Sequence, residues 1–377
     1  MAGVYGGYWV NVEILYEFVE RLLDAEDGNS VQSRLEGAAA ALSNLANSPQ
    51  DQNHQKALSD AQLRIKESFD SLDRFFDASD RDKLDEIGAS YFFSPDLLAE
   101  LKEKIQQNPM SPSVVHQYLQ EILQERSRLL ENLKSLKRNL SDLHFSVPDL
   151  DAEQVQLGFR LPRAMFGNNF DGFIKELGTL KFVVNSFSII IVGETTEIEL
   201  GQISTSNPLV FLGVKGQIAF AVAASVTWGL DTWQRIEEIR IFRKDAAAVE
   251  ALEPLTENID QIIAVQVENS IEKRLDELEK THTIDVEQRA SLRKAHRIIL
   301  ERLEQGMNLE IRMLEPELPD VETDDDDEEV SISEYPEELK TSMGISSIRK
   351  ELKFPKATGK PLLKLSYPTT KEAAKYK

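Results

Sequence analysis

The chain contains no cysteine among its 377 residues. This absence excludes disulfide bridges, thiolate metal ligands and cysteine nucleophiles, and it suits a reducing compartment such as the cytoplasm. Basic charge is also scarce, because 65 acidic residues against 43 lysines and arginines give a net charge of −22 at pH 7. Such a balance argues against nucleic acid as a partner, since binding to phosphate requires clustered lysine and arginine. Residues 1–13 lack the basic and apolar regions of a signal peptide, and we expect none.

Recognisable chemical motifs are missing as well. None of the five histidines lies three or four residues from another, so no zinc-binding helix is predicted. The acidic run 324–329 lacks the alternation and the central glycine of a calcium loop, and no glycine-rich phosphate loop occurs. His296, flanked by Arg293 and Arg297, is predicted to lie on the surface. We therefore assign no catalytic, cofactor-binding or metal-binding residue, and an enzyme with a site of scattered residues stays open.

The most informative feature of the sequence is how few charged residues lie between Gly201 and Leu230, where Lys215 is the one charged residue. In so acidic a chain, a stretch like this must be kept from water by a protein core, by another subunit or by a membrane. Lys215 divides the stretch, and Gly216–Leu230 as a helix would be about 22 Å long. That is short of the roughly 30 Å hydrocarbon core of a bilayer. Three alternatives follow: a buried helix, a segment that inserts into a membrane, and an oligomer contact.

Small residues recur at four-residue spacing within this stretch, at Ala221, Ser225 and Gly229. On a helix they form a ridge that permits close approach of a second helix, in a soluble bundle or in a membrane. The candidate interaction residues, whether for a helix contact or for seeking a membrane, are Lys215, Ala221, Ser225, Trp228, Gly229 and Trp233.

Residues 1–149 are predicted to form a helical, bundle-like module. Its longest helix spans 112–143 and carries a heptad seam that is interrupted at Arg126. The seam consists of Val115, Leu119, Ile122, Arg126, Leu129, Leu133, Leu136, Leu140 and Leu143. It fits either a bundle within the chain or an intermolecular coiled coil, and Arg126 favours the former because a dimer would oppose two arginines. The stretch 41–76 is an amphipathic pattern around the turn Asn47-Ser48-Pro49. In this it resembles a helical hairpin of flagellar hook-associated proteins, a likeness from which we take no function.

Residues 150–318 are predicted to form a small α+β module. Apolar and polar residues alternate in 155–161, 196–203 and 309–313, which indicates three half-buried strands of one sheet. Ser206-Asn207-Pro208 is typical of a helix start, and one helix is expected over 217–250. Further helices are expected over 255–278 and 286–303.

Residues 319–377 run from acidic to basic and are predicted to form a disordered tail, open to a linear-motif partner. The expected fold class is thus mainly α, with a helical bundle-like module, an α+β module with a three-stranded sheet and a disordered tail. The expected function is a cytoplasmic helical interaction or scaffold protein that binds a protein partner or itself. The alternatives are a membrane-acting effector that inserts 201–230 at a peripheral membrane contact, and an enzyme. No cofactor and no metal are expected.

Overall fold

The computed structural model describes residues 12–145, 150, 154–204, 208–247, 259–314 and 335–354. The chain divides into two compact units, Met1–Asp149 and Leu150–Lys377. It is mainly α-helical with one small antiparallel sheet, which confirms the fold class predicted from the sequence.

The first unit is a helical assembly. Its helices are α1 (Val12–Asn29), α2 (Val31–Asn47), α3 (Gln52–Phe75), α4 (Ala78–Glu86), α5 (Pro95–Gln107) and α6 (Pro112–Asp142). A short 3₁₀ turn, Ser90–Phe93, precedes α5. Pro95 and Pro112 occupy the first helical positions of α5 and α6, where a missing N–H leaves no hydrogen bond unmade. The Ser94 side chain caps α5 by accepting a hydrogen bond from the Asp96 backbone N–H.

The heptad seam of α6 packs on helices of its own chain. Val115, Leu119 and Leu133 are buried in a cluster that α1, α2, α3 and α5 share. At the end of the seam, by contrast, Leu143 is exposed. The seam is therefore satisfied within the unit, in the arrangement that the interruption at Arg126 favours.

Arg126 is fully buried and places a charged group within the otherwise apolar seam of α6. Its guanidinium forms a two-point ion pair with Glu26 of α1, in which Nη1 lies 3.1 Å from Oε1 and Nη2 donates to Oε2. Nη1 also donates to Gln32 Oε1 at 3.0 Å, and Nε donates to the Phe92 carbonyl at 3.2 Å. Since Gln32 lies in α2 and Phe92 in the 3₁₀ turn, one side chain of α6 ties three elements together.

The sheet of the second unit has four strands, and the expectation of three is corrected. The strands are β1 (Gln154–Arg160), β2 (Glu199–Ser204), β3 (Leu209–Lys215) and β4 (Asn308–Arg312), in the order β2-β3-β1-β4 with all neighbours antiparallel. The three predicted strands are present, and the added strand β3 lies where Ser206-Asn207-Pro208 predicted the start of a helix. It shows no alternation because it is buried on both faces, apart from Lys215 at its end.

The helices of the second unit pack around this sheet. They are α7 (Phe170–Val192), α8 (Gly216–Ala247), α9 (Ile259–Glu279), α10 (Val286–Glu304) and α11 (Glu337–Glu351). The expected end of α8 at residue 250 and the expected start of α9 at residue 255 lie outside the described residues. Gly306, with a positive φ of 90°, follows the end of α10, where a left-handed residue is common.

Part of the C-terminal segment that the sequence predicts to be disordered is helical. In α11, Ile345 is fully buried in the core of the second unit, and Leu352 directly after the helix is also buried. These two apolar side chains are enough to hold the helix in place, because both pack on a core that the rest of the second unit forms. The acidic run 324–329 and the basic residues after 354 lie outside the described residues.

Candidate interaction site

The candidate interaction residues lie at the end of β3 and along α8. Lys215 is the last residue of β3 and is exposed, and Gly216 begins α8 without an intervening loop. Because β3 is an inner strand, α8 starts against the sheet. Ile218, Val222 and Val226, which share one helix face, are fully buried there. The charge-poor stretch is thus divided between two strands and the first half of a buried helix.

The small-residue ridge of α8 is buried in protein. Ala221 and Ser225 are both buried, and the Ser225 hydroxyl donates to the Ala221 carbonyl at 2.9 Å. This hydrogen bond satisfies the Ser225 hydroxyl within the helix itself, so the residue is buried without an unpaired polar group.

Gly229 lies where α8 packs closely on α10. A Cβ atom placed on Gly229 would lie 2.7 Å from Leu303 Cδ1 and 3.2 Å from Ile299 Cγ2. Both distances are shorter than ordinary carbon contacts. Leu303 and Ile299 are themselves buried and have little room to move. The glycine is therefore required by the close packing of these two helices.

Trp228 contacts a buried histidine of α10. The Trp228 and His296 rings meet edge to face at 5.0 Å between centroids, and Phe187 of α7 packs on His296 at 5.5 Å. The prediction that His296 lies on the surface is wrong, because the residue is fully buried. Its Nδ1 lies 2.8 Å from the Leu292 carbonyl. Burial disfavours the charged ring and lowers the pKa of His296 to about 4.

The C-terminal half of α8 faces α9. Trp233 is buried there, and the hydroxyl of Thr232 lies 3.0 Å from that of Ser270 on α9. The helices around α8 are further fixed by a two-point ion pair between α7 and α10. In it, Arg302 Nε and Nη2 donate to the two carboxylate oxygens of Glu176 at 2.7 and 2.9 Å.

The N-terminal part of α8 receives α11. A Cβ atom placed on Gly344 would lie 2.7 Å from Phe220 Cε2, and one placed on Gly216 would lie 3.8 Å from Thr341 Cγ2. Phe220 remains 40% exposed, so its ring lies at the edge of the contact. The amino-acid sequence does not signal this contact, because no pattern in residues 319–377 indicates a helix that would pack on α8.

Five of the six candidate residues thus lie on α8, but the six do not share one surface. Ala221, Ser225 and Gly229 belong to the core, Trp228 contacts α10, Trp233 is buried in the C-terminal half of α8, and Lys215 remains exposed. What the sequence did not foresee is the neighbouring surface around Gly216 and Phe220, which holds a helix from the far end of the chain.

Comparison with protein-family models, curated proteins and solved structures finds no match for this chain. Within the described ranges, no group of three or more histidine, aspartate and glutamate side chains is placed to hold a metal ion. Among the helices of those same ranges, none combines the length and the apolar character needed to cross a membrane. The features of α8 that bear on an interaction are its small residues, the partly exposed ring of Phe220 and its contact with α11.

Proposed function

We propose that this chain is a cytoplasmic helical interaction protein that associates with itself through the second unit. The observation that carries the proposal is the contact of α11 with α8. A helix joined to the rest of the unit through residues 315–334 packs on α8, with Gly344 of α11 against the Phe220 ring and Thr341 near Gly216. A surface that accommodates a helix at this distance is one that a protein partner can use in the same manner.

The burial of α8 supports an interaction role over membrane insertion. Insertion would have to withdraw Ile218, Val222 and Val226 from the core, and each is fully buried. Burying one such side chain contributes roughly 1.5–3 kcal/mol. Lipid offers these side chains no advantage over the protein interior that they already occupy, so the unit has little to gain from releasing α8.

The net charge of the chain predicts how salt concentration should affect self-association. Two copies that each carry −22 repel one another, and salt screens this repulsion over about 10 Å at 0.1 M. Association through an apolar helix contact should therefore strengthen as salt is added from low concentration. An association held by opposite charges would weaken instead.

Co-purification of two full-length copies with different tags, expressed in one cell, tests the proposal. We expect both copies to be recovered on either tag, with a larger share of mixed complexes at 150 mM salt than at 20 mM. Phe220→Ala, at the edge of the α11 contact, should reduce recovery. Leu200→Ala, which truncates an exposed apolar side chain on β2, is the matched control and should not. Recovery of single copies alone at both salt concentrations, or flotation of the chain with liposomes, would contradict the proposal.

A further inference from the structure

We infer that the outer edge of β2 binds an extended segment of a protein partner in which apolar and basic residues alternate. The proposed self-association uses α8 and α11 rather than β2, so this edge is a second and independent interaction surface. β2 ends the sheet order β2-β3-β1-β4, and within the described ranges its backbone pairs on one side only, with β3. The N–H and C=O groups on the other side of an edge strand can pair with an added strand, which is a recurrent way of binding an extended peptide.

The segment that leads into β2 is anchored, so the edge is already in place for a partner. Ser188 of α7 is fully buried, and its hydroxyl donates to the Glu194 carbonyl at 2.7 Å. The same hydroxyl oxygen accepts the Thr196 backbone N–H at 3.2 Å. Because an ordered surface loses little conformational entropy when a partner binds, this anchoring favours binding at β2.

The side of β2 that faces the core of the second unit leaves apolar surface exposed. Leu200 lies opposite Leu212 of β3, which belongs to that core, and yet Leu200 is 61% exposed. Ile198 and Ile203 pack against the same core and are only half-buried. A strand added beside β2 would place every second side chain on this side, where an apolar residue would cover Leu200.

The charges of the edge are all negative. Glu199 of β2 is exposed, and so are Glu194 and Glu197 in the segment before the strand. These three glutamates are the only charged residues of the sequence 182–214. Opposite charges on neighbouring strands favour pairing and like charges disfavour it. The edge therefore selects a partner with lysine or arginine at the positions that alternate with its apolar residues.

The same glutamates argue against β2 of a second copy as the occupant of the edge. Two such edges brought together would oppose glutamate to glutamate, and charged residues on an edge strand are a common means of preventing it from pairing with itself. A basic partner turns the same charges into attraction, so they discriminate between the two occupants.

A dye-labelled synthetic peptide, Thr-Val-Lys-Val-Lys-Val-Thr with both ends blocked, tests the inference by fluorescence anisotropy with the full-length chain at 150 mM salt. We expect saturable binding. The matched peptide with glutamate in place of both lysines should bind at least about tenfold more weakly. A lysine peptide with proline in place of its central valine should not bind, because proline cannot donate a hydrogen bond to the edge.

Variants of the chain place the binding on the edge. Glu197→Gln combined with Glu199→Gln should weaken binding of the lysine peptide by about three- to tenfold. The matched control, Glu277→Gln combined with Glu287→Gln, removes the same charge from exposed positions on α9 and α10. This control should leave the affinity unchanged within about twofold, because the charges lie on other elements and are screened by salt.

Hydrogen exchange followed by mass spectrometry locates the peptide directly. An added strand should slow exchange of the backbone amides in 199–204. Failure of the lysine peptide to bind, or equal affinity for the lysine and glutamate peptides, would overturn the inference. Binding that leaves exchange in 199–204 unchanged would place the peptide elsewhere and overturn it as well. Co-purification of two tagged copies is measured without any peptide, so the proposed self-association can stand or fail separately.

Discussion

Two glycine-to-alanine substitutions in the second unit should differ clearly in their effect on its stability. Gly178 in α7 is exposed, and a Cβ placed on it would have no neighbour within 4 Å, whereas one placed on Gly229 in α8 would face Leu303 at 2.7 Å and Ile299 at 3.2 Å. Alanine is favoured over glycine inside a helix by about 0.8–1.0 kcal/mol. Gly178→Ala should gain most of that amount, since nothing in its surroundings opposes the added methyl group.

Gly229→Ala receives the same gain from helix propensity but must push aside two buried side chains. Forcing an extra carbon into a packed core costs about 1–3 kcal/mol. The net change should therefore lie between roughly neutral and about 2 kcal/mol destabilising. Relative to Gly178→Ala, the free energy of unfolding should be lower by about 1–3 kcal/mol.

Urea unfolding followed by tryptophan fluorescence measures this difference. The chain has three tryptophans, and a Trp9→Phe background leaves Trp228 and Trp233, both on α8, as the reporters. If Gly229→Ala stabilised the unit as much as Gly178→Ala does, α8 and α10 would not be as close as the contact at Gly229 requires, and the reasoning would be refuted.

Three further changes have defined outcomes. Arg126→Ala leaves the carboxylate of Glu26 buried without its ion pair and should destabilise the first unit by about 3–5 kcal/mol. The double variant Arg126→Met with Glu26→Leu removes both charges and should recover most of this loss. Urea unfolding followed by circular dichroism compares the stability of the two variants. His296 has a pKa of about 4 in the folded chain against 6.5 as its ordinary value, so its stabilising effect is complete above pH 6.5 and is lost as the pH falls toward 4. His296→Phe should reduce the stability difference between pH 7.5 and 4.5 by on the order of 2–3 kcal/mol, and an unchanged difference would show that His296 is not buried in its neutral form. Ser225→Leu should cost about 1–3 kcal/mol by overpacking; unchanged stability together with stronger liposome binding would favour the membrane-acting alternative.

The sequence predicts the parts of the fold in which the local pattern and the final environment agree. The alternating strands β1 and β4 have buried apolar residues at every second position, and the period of two reports this directly. Strand β2 also alternates, but its apolar residue Leu200 is exposed. In β3 both faces are buried, so the sequence shows only a continuous apolar run, placed after Ser206-Asn207-Pro208 as the start of a helix would be. A short run of this kind does not distinguish a buried strand from a buried helix.

Buried polar residues were predictable only in part. His296 falls in register with Leu292, Ile299 and Leu303 on α10, and this apolar spacing outweighs the neighbouring arginines that suggested a surface position. Arg126 stands in the apolar seam of α6, which points to a polar residue inside the unit. Its partner Glu26 lies one hundred positions away and could not be identified from local pattern.

The candidate interaction surface includes the contact between α8 and α11, and no local sequence pattern predicts that contact. The ridge at Ala221, Ser225 and Gly229 is visible in the sequence as a spacing, but the residues that pack on Gly229 belong to α10, and α11 packs on α8 at Gly216 and Phe220. The buried part of α11 amounts to a few residues around Ile345, too few to produce a clear helical period in a segment dominated by charge.

The mass of the full-length chain in solution tests the central claim of self-association most directly. Sedimentation velocity at 150 mM salt, over a concentration series from the low micromolar range upward, should show a species of twice 42.6 kDa whose share increases with concentration. Lowering the salt to 20 mM should shift the population toward the single chain, because repulsion between two acidic copies is then less screened. A sedimenting species of 42.6 kDa at every concentration and at both salt conditions would contradict the account.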